Sequence, residues 1–396
     1  MDAIARGKYD TRANGAIRSR GQRLSTRRLG QQALQRKRVG RLAAACLAIA
    51  VTGIAQAAPA KPDFSKLTAR VVDTYALPRF AALATTSGKL AATLGAACAG
   101  DRKAADAVVH DYASTVLAWA AVEFLRVGPM SQVGRPERFD FWPDPRGITQ
   151  RQVNALVAKK DASALAPAAL TKKSAAVQGL SALEVLLNSD GHPITDADEE
   201  GHYRCQLALS VAQSTHALAE EILTEWQGDK GWRQRMVSPP ADDPRYKAPA
   251  EPAADFARAL ITGLQIIQDR EVAPMIAALP NPDKQPRLPF SRSGLSAGYI
   301  AAGIASTQAL YEAMGLARGV PSDKKWMPRW ITSAFERLAR DAPAAVEGIS
   351  TAKDNPERTR ELRMVRFHIE GIRKLIGREM APLAGLTIGF NELDGD

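Results

Sequence analysis

The chain has 396 residues, with 53 Lys and Arg against 42 Asp and Glu and a formal charge of +11. The excess is concentrated at the front: residues 1–57 hold twelve Lys and Arg and two Asp, leaving 41 basic and 40 acidic residues for the remainder. The body is therefore close to neutral, which removes the main electrostatic argument for a nucleic-acid partner.

The front segment has the layout of a secretory signal. A basic n-region, unusually long, ends at Arg41; the apolar stretch Leu42 to Ile54 follows, and Ala55-Gln56-Ala57 supplies a small-x-small cleavage site. This reads as export to the periplasm with cleavage after Ala57. The apolar stretch is too short for an ordinary span, and no later segment approaches roughly 18 uninterrupted apolar residues, so no transmembrane span is expected in the mature chain. Cys46 lies near the start of the apolar stretch, not at its end where a lipidated cysteine stands. Cleavage leaves two cysteines, Cys98 and Cys205, which an oxidising compartment allows to pair; two buried free thiols in separate helices are the alternative.

The body is rich in Ala and Leu at spacings of three and four and poor in the alternations that mark strands, so the fold class is all-α. In chain order, the spacing predicts helices over about Phe64–Ala97 (kinked at Pro78), Arg102–Val127, Thr149–Lys159, Pro167–Asn188 and Asp196–Trp226. Thr195 and Asp198 fit a capping box opening the last of these. The stretch 239–252, with Pro239, Pro240, Pro244, Pro249 and Pro252, forbids regular helix and reads as a linker. Beyond it come helices at about Pro252–Ala278, Ser293–Leu316, Pro328–Arg340 and Pro356–Met380. Long helices with short connections favour antiparallel bundles, giving an N-terminal bundle over 58–238 and a C-terminal bundle over 253–396.

One helix carries a conspicuous acid. Between Ser174 and Ser189 the chain reads SAAVQGLSALEVLLNS, with Glu184 its one ionisable residue; a carboxylate among leucines is costly to bury unless something pairs with it. Winding the run as a helix groups Gln178, Ser181, Glu184 and Asn188 in one arc, opposite Leu180, Leu183, Leu186 and Leu187. That arc is either a solvated face or the lining of an enclosed pocket. Val177 and Val185 share it and no Lys or Arg does, which suits the pocket. Upstream, the loop RFDFWPDPRG sets Phe141 and Trp142 beside Asp144 and Arg146 on a backbone stiffened by Pro143 and Pro145. It can form a binding wall, or a hydrophobic plug under a bundle end.

The histidines make weaker patterns. His110 with Asp106 and His216 with Glu220 are i, i+4 pairs of the kind common on helix surfaces. His192 and His202 flank Asp196, Asp198, Glu199 and Glu200, but acids at a helix start are expected from the dipole. His368 lies in a basic helix. Motifs for zincins, nucleophile elbows, haem attachment and di-iron bundles are all missing.

Four separated segments agree in order with one family: FWPDPRG, QRQVNAL, SAAVQGLSALEVLL and the C-terminal LAGLTIGFNELDGD resemble the imelysin-like proteins, specifically the branch described as predicted periplasmic lipoproteins. The resemblance runs from Tyr75 to the C-terminus. The family's Gly-x-His-x-x-Glu motif is present here as Gly-x-Ser-x-x-Glu, on Gly179, Ser181 and Glu184. The resemblance implies two helical bundles with a pocket between them, export and a role in iron acquisition, whereas the family's founding member is classed as a peptidase. The resemblance places the pocket near Gly179, Ser181 and Glu184, and the rigid loop adds Trp142, Asp144 and Arg146 to its expected lining; iron or another divalent cation is the expected ligand, with Glu184 as its metal-binding residue. A serine hydroxyl is a weak, neutral metal ligand, so Ser181 argues against tight metal binding by the motif alone and against peptidase chemistry. The expected function is a periplasmic binding or accessory protein of metal acquisition; the alternatives are an imelysin-type peptidase and a helical adaptor for a membrane or redox partner.

Overall fold

A computed structural model describes residues 62–188, 194, 198–280, 286–349 and 356–389. The export segment and Thr195 lie outside the described residues. Among those described, every regular element is a helix: α1 (Phe64–Val71), α2 (Leu77–Cys98), α3 (Arg102–Ala120), α4 (Arg135–Phe139), α5 (Ile148–Lys159), α6 (Pro167–Leu170), α7 (Gly179–Leu187) and α8 (Glu199–Trp226) in the first part. They are followed by α9 (Trp232–Val237), α10 (Ala250–Ile266), α11 (Ala273–Ala278), α12 (Ser296–Met314), α13 (Trp326–Glu347), α14 (Pro356–Leu375) and α15 (Ala381–Leu383). The protein is all-α.

Short polar residues set the helix starts. Asp63 accepts from the Lys66 amide at α1, Asp101 from Lys103 and Ala104 at α3, and Asp198 from Gly201 at α8. The kink expected at Pro78 is a π-helical turn over Val72–Ala76 that joins α1 to α2. Two further π turns, Ile267–Val272 and Ile376–Met380, stand in the same relation to Pro274 and Pro382. Proline has no N–H and its ring crowds the carbonyl four residues back, and a widened turn just before it relieves both problems without ending the helix.

The described residues form one compact unit. α2 packs along α3 and α8, with α7 against α8; further on, α12, α13 and α14 pack in sequence and α10 lies against α12. α1 reaches across to α10 and α12, and α3 touches α12, so apolar residues of both parts join one core. The proline-rich 239–252 stretch, which we retain as a proposed domain boundary, is tied to the body. Asp243 and Tyr246 are buried, Asp243 accepts from the Arg245 and Tyr246 amides, and the Tyr246 hydroxyl donates to Asp255. Cys98 at the end of α2 and Cys205 in α8 form a disulfide across 107 residues of sequence, which decides between the two states left open above.

Three predicted helices differ from the structure; that over Pro328–Arg340 is α13, which runs on through Pro343 to Glu347. The one over Arg102–Val127 stops at Ala120, and Val122, Phe124, Leu125 and Val127 continue as buried non-helical chain. The one over Pro167–Asn188 is broken into α6, a 3₁₀ turn at Ala175–Val177 and α7. Gln178 is extended and buried rather than on the face of a common helix, its Oε1 accepting from Arg138 and its amide donating to the Lys173 carbonyl. The break is required at Gly179. Its φ is +70°, and a Cβ there would lie 2.2 Å from the Phe139 carbonyl oxygen. Gly179→Ala therefore combines left-handed strain with a backbone clash. A loss on the order of 3 kcal/mol is expected in urea unfolding; an unchanged midpoint would show that α4 and α7 can separate freely.

Candidate functional site

The close approach at Gly179 brings the end of α4 and the chain beyond it against α7. That chain, 141–151, forms one wall of a cavity of about 490 Å³; Ser181, Glu184 and Val185 of α7 form a second, and the 287–292 stretch a third. Of the residues singled out from sequence, Trp142, Asp144, Arg146, Ser181 and Glu184 line this cavity, whereas Gly179 does not and acts through the backbone contact described above.

Several lining side chains have identified partners. Asp144 accepts from the Ile148 and Thr149 amides, both at 2.8 Å, and so caps α5. Burial raises its pKa, but those amides outweigh it and hold the carboxyl below its ordinary value. Arg287 donates to the Pro145 carbonyl at 2.7 Å and joins two walls. Arg146, Arg151 and Arg292 line the cavity as well, with the Arg151 guanidinium donating to the Arg146 carbonyl. The Trp142 indole N–H and Gln150 Oε1 are buried, with no hydrogen-bond partner among the described residues.

Glu184 is half-buried, and its Oε1 accepts from both the amide (3.1 Å) and the hydroxyl (2.9 Å) of Ser293. Burial still prevails over Ser293 and the nearby Arg292, leaving its pKa raised. Ser181 donates a short hydrogen bond to Asp140. Asp140 is buried, and its pKa is pushed up to about 7 by that burial and by the charges of Glu123 and Glu184; the Ser181 bond and Arg270 oppose the rise only in part.

Asp140 is one of a group of interacting acids that also includes Glu123 and Glu271. Glu123 is raised by burial despite a hydrogen bond with Tyr299 and the pull of Arg270 and Arg126. Glu271 is pushed well above its ordinary value by burial and by Glu123, and its Oε2 has no partner among the described residues. Arg270 and Glu271 belong to the π turn before Pro274, and Arg270 reaches the Trp142 carbonyl at 3.5 Å. Sequence reading passed over Asp140, Glu123, Glu271 and Ser293. Glu123 carries the signal that marked Glu184, a lone acid in an apolar run (AAVEFL), and Asp140 stands between two phenylalanines.

The residues fit a bare metal ion poorly. Among the described residues no group of three His, Cys, Asp or Glu could hold one, the Ser181 hydroxyl is committed to Asp140, and one oxygen of Glu184 is held by Ser293. The histidines lie elsewhere. His110 is exposed and 3.4 Å from Asp111, His216 lies against Gly88, and His368 is buried beside Trp330 and Phe367. His202 lines a second cavity beside the disulfide; its sequence neighbours His192 and Asp196 lie outside the described residues.

A family model described as imelysin matches residues 76–365. No curated protein matches the chain. Among solved structures, an imelysin-like protein from Psychrobacter arcticum 273-4 is similar at 18% identity, covering 83% of this chain and 97% of its own, with a TM-score of 0.61. A Parabacteroides distasonis ATCC 8503 protein, provisionally assigned as an iron-regulated protein A precursor, is similar at 13% identity, covering 80% of this chain and 96% of its own, also with a TM-score of 0.61.

Proposed function

On the premise that this chain belongs to the imelysin family, we propose that it is an exported periplasmic binding or accessory protein of iron acquisition whose working part is the cavity over Glu184. The observation that carries this reading is the cavity itself: a half-buried carboxylate held by Ser293 on one wall, with four arginines among the other lining residues. The iron element draws on the family resemblance and on the name of the Parabacteroides protein. Export draws on the basic-apolar-small layout of residues 1–57. Among the described residues, no helix is long and apolar enough to cross a membrane.

The charge pattern narrows what the cavity takes. Asp144 is committed to capping α5, so the charged groups left for a ligand are mainly guanidiniums and the second oxygen of Glu184. Guanidiniums hold carboxylates through paired, charge-assisted hydrogen bonds. The cargo this favours is iron already enclosed in an anionic carboxylate chelate. In that arrangement the arginines hold the chelate, and Glu184 accepts from its hydroxyl groups.

Titration calorimetry of the mature protein with ferric citrate, free ferric ion and citrate alone tests this. Ferric citrate should bind, Arg146→Ala and Arg292→Ala should each weaken it by about tenfold, and Glu184→Gln should weaken it by a similar factor. Uptake of free ferric ion equal to that of the chelate would contradict the proposed cargo, and absence of heat with all three would remove the iron reading.

A further inference from the structure

The α13–α14 hairpin lies outside the cavity and presents a surface of different character. Its outer face exposes Trp326 (53%), Met364 (36%) and Phe367 (55%). Trp330 joins them, edge-on to Phe367 at 6.4 Å and lying over Gly371, where a Cβ would come 2.2 Å from the indole. The aromatic ridge therefore continues from one helix to the other with the rings held in place.

Cations share that face. At about 100° per residue, Arg360, Arg363, Met364 and Lys374 fall within about 60° of Phe367 on α14, and Trp326 and Arg337 within about 40° of Trp330 on α13. Arg337, Arg360, Arg363 and Lys374 have no ion pair among the described residues. The acids closest to the stripe are already paired, Glu370 with Arg366 and Asp341 with Arg340, each at 2.8 Å.

We propose that this face docks on an anionic phospholipid surface. Indole and phenyl rings on a helix exterior are stabilised in the headgroup layer, where an apolar body and a polar edge are both accommodated, and unpaired Arg and Lys beside them meet lipid phosphates. Loss of contact with water alone would favour any apolar partner; the cations with no free acid among them select a negatively charged surface. The hairpin lies on the bilayer and does not enter it as a span. This places the protein at the membrane face independently of what the cavity binds.

Co-sedimentation of the mature protein with vesicles tests the proposal. Phosphatidylglycerol-containing vesicles should bind it at low salt and pure phosphatidylcholine vesicles should not, with release as ionic strength rises. Trp326→Ser/Phe367→Ser and Arg360→Glu/Arg363→Glu should each reduce binding by at least about tenfold. All four side chains are exposed, and an unchanged thermal unfolding curve verifies that the variants fold. No binding to anionic vesicles, or binding that survives both double substitutions, overturns the proposal. Binding to soluble polyglutamate that ignores the aromatic substitutions would also overturn it, in favour of an acidic protein partner.

Discussion

Reduction of the Cys98–Cys205 bond should lower the thermal unfolding midpoint by on the order of 10 °C. The bond closes a loop of 107 residues that contains α3 to α7 and both walls of the cavity contributed by the first part of the chain. In the chain-entropy description, cross-linking at that separation removes unfolded-state freedom worth about 5 kcal/mol. Packing of α2 along α8 survives reduction, so the fold should persist with less reserve. Melting curves with and without reductant measure the effect, and a Cys98→Ala/Cys205→Ala variant should already melt low and ignore reductant. Coincident curves for the native protein in both conditions would show that residual structure in the unfolded chain cancels the gain.

Asp140→Asn should shift the balance of stability in a pH-dependent way. In the unfolded chain this carboxyl ionises near pH 3.9, whereas in the folded protein its pKa is about 7. Between those values the folded protein keeps a proton that the unfolded chain releases, so rising pH favours unfolding, and the cost is complete above about pH 7. Spread over roughly three pH units it amounts to about 4 kcal/mol. Asparagine has no proton to lose and still offers an oxygen to the Ser181 hydroxyl. The stability of the variant relative to the native protein should therefore climb by up to about 4 kcal/mol from pH 4 to pH 8 in urea unfolding. The other groups facing Asp140 are Glu123, Glu184 and Arg270. The repulsion from the two glutamates is already contained in the raised Asp140 value and adds nothing further to the expected slope. A gap that stays flat with pH would mean that Asp140 is ionised throughout and paired with a cation.

These two predictions concern residues that sequence reading treated unequally. Cys98 and Cys205 were visible as a pair, because two cysteines remain once Cys46 is set aside, but spacing along the chain says nothing of distance in space. Asp140 was in plain sight within RFDF and was not selected, since an acid in a loop is ordinarily solvated. It is unusual only because α7 approaches it closely enough for Ser181 to donate to it, and that approach depends on Gly179 lacking a side chain.

The all-α class, most helix positions and the proline disruptions were legible from local pattern, because periodicity, capping residues and breakers act over a few residues; the family came from the resemblance of four separated segments, and not from pattern. Helix continuity failed at Gly179, where a contact with Phe139, forty positions away in sequence, overrode a good helical period. The same limit applies to the site. That Glu184 needed a partner could be read from its leucine neighbours; that the partner is Ser293 could not. The lining arginines come from segments more than a hundred residues apart, and the acidic group of Asp140, Glu123 and Glu271 from three separate elements. Burial and long-range charge belong to the packed chain as a whole, and for that reason only the tertiary structure decided which side chains share a cavity and which acids hold their protons.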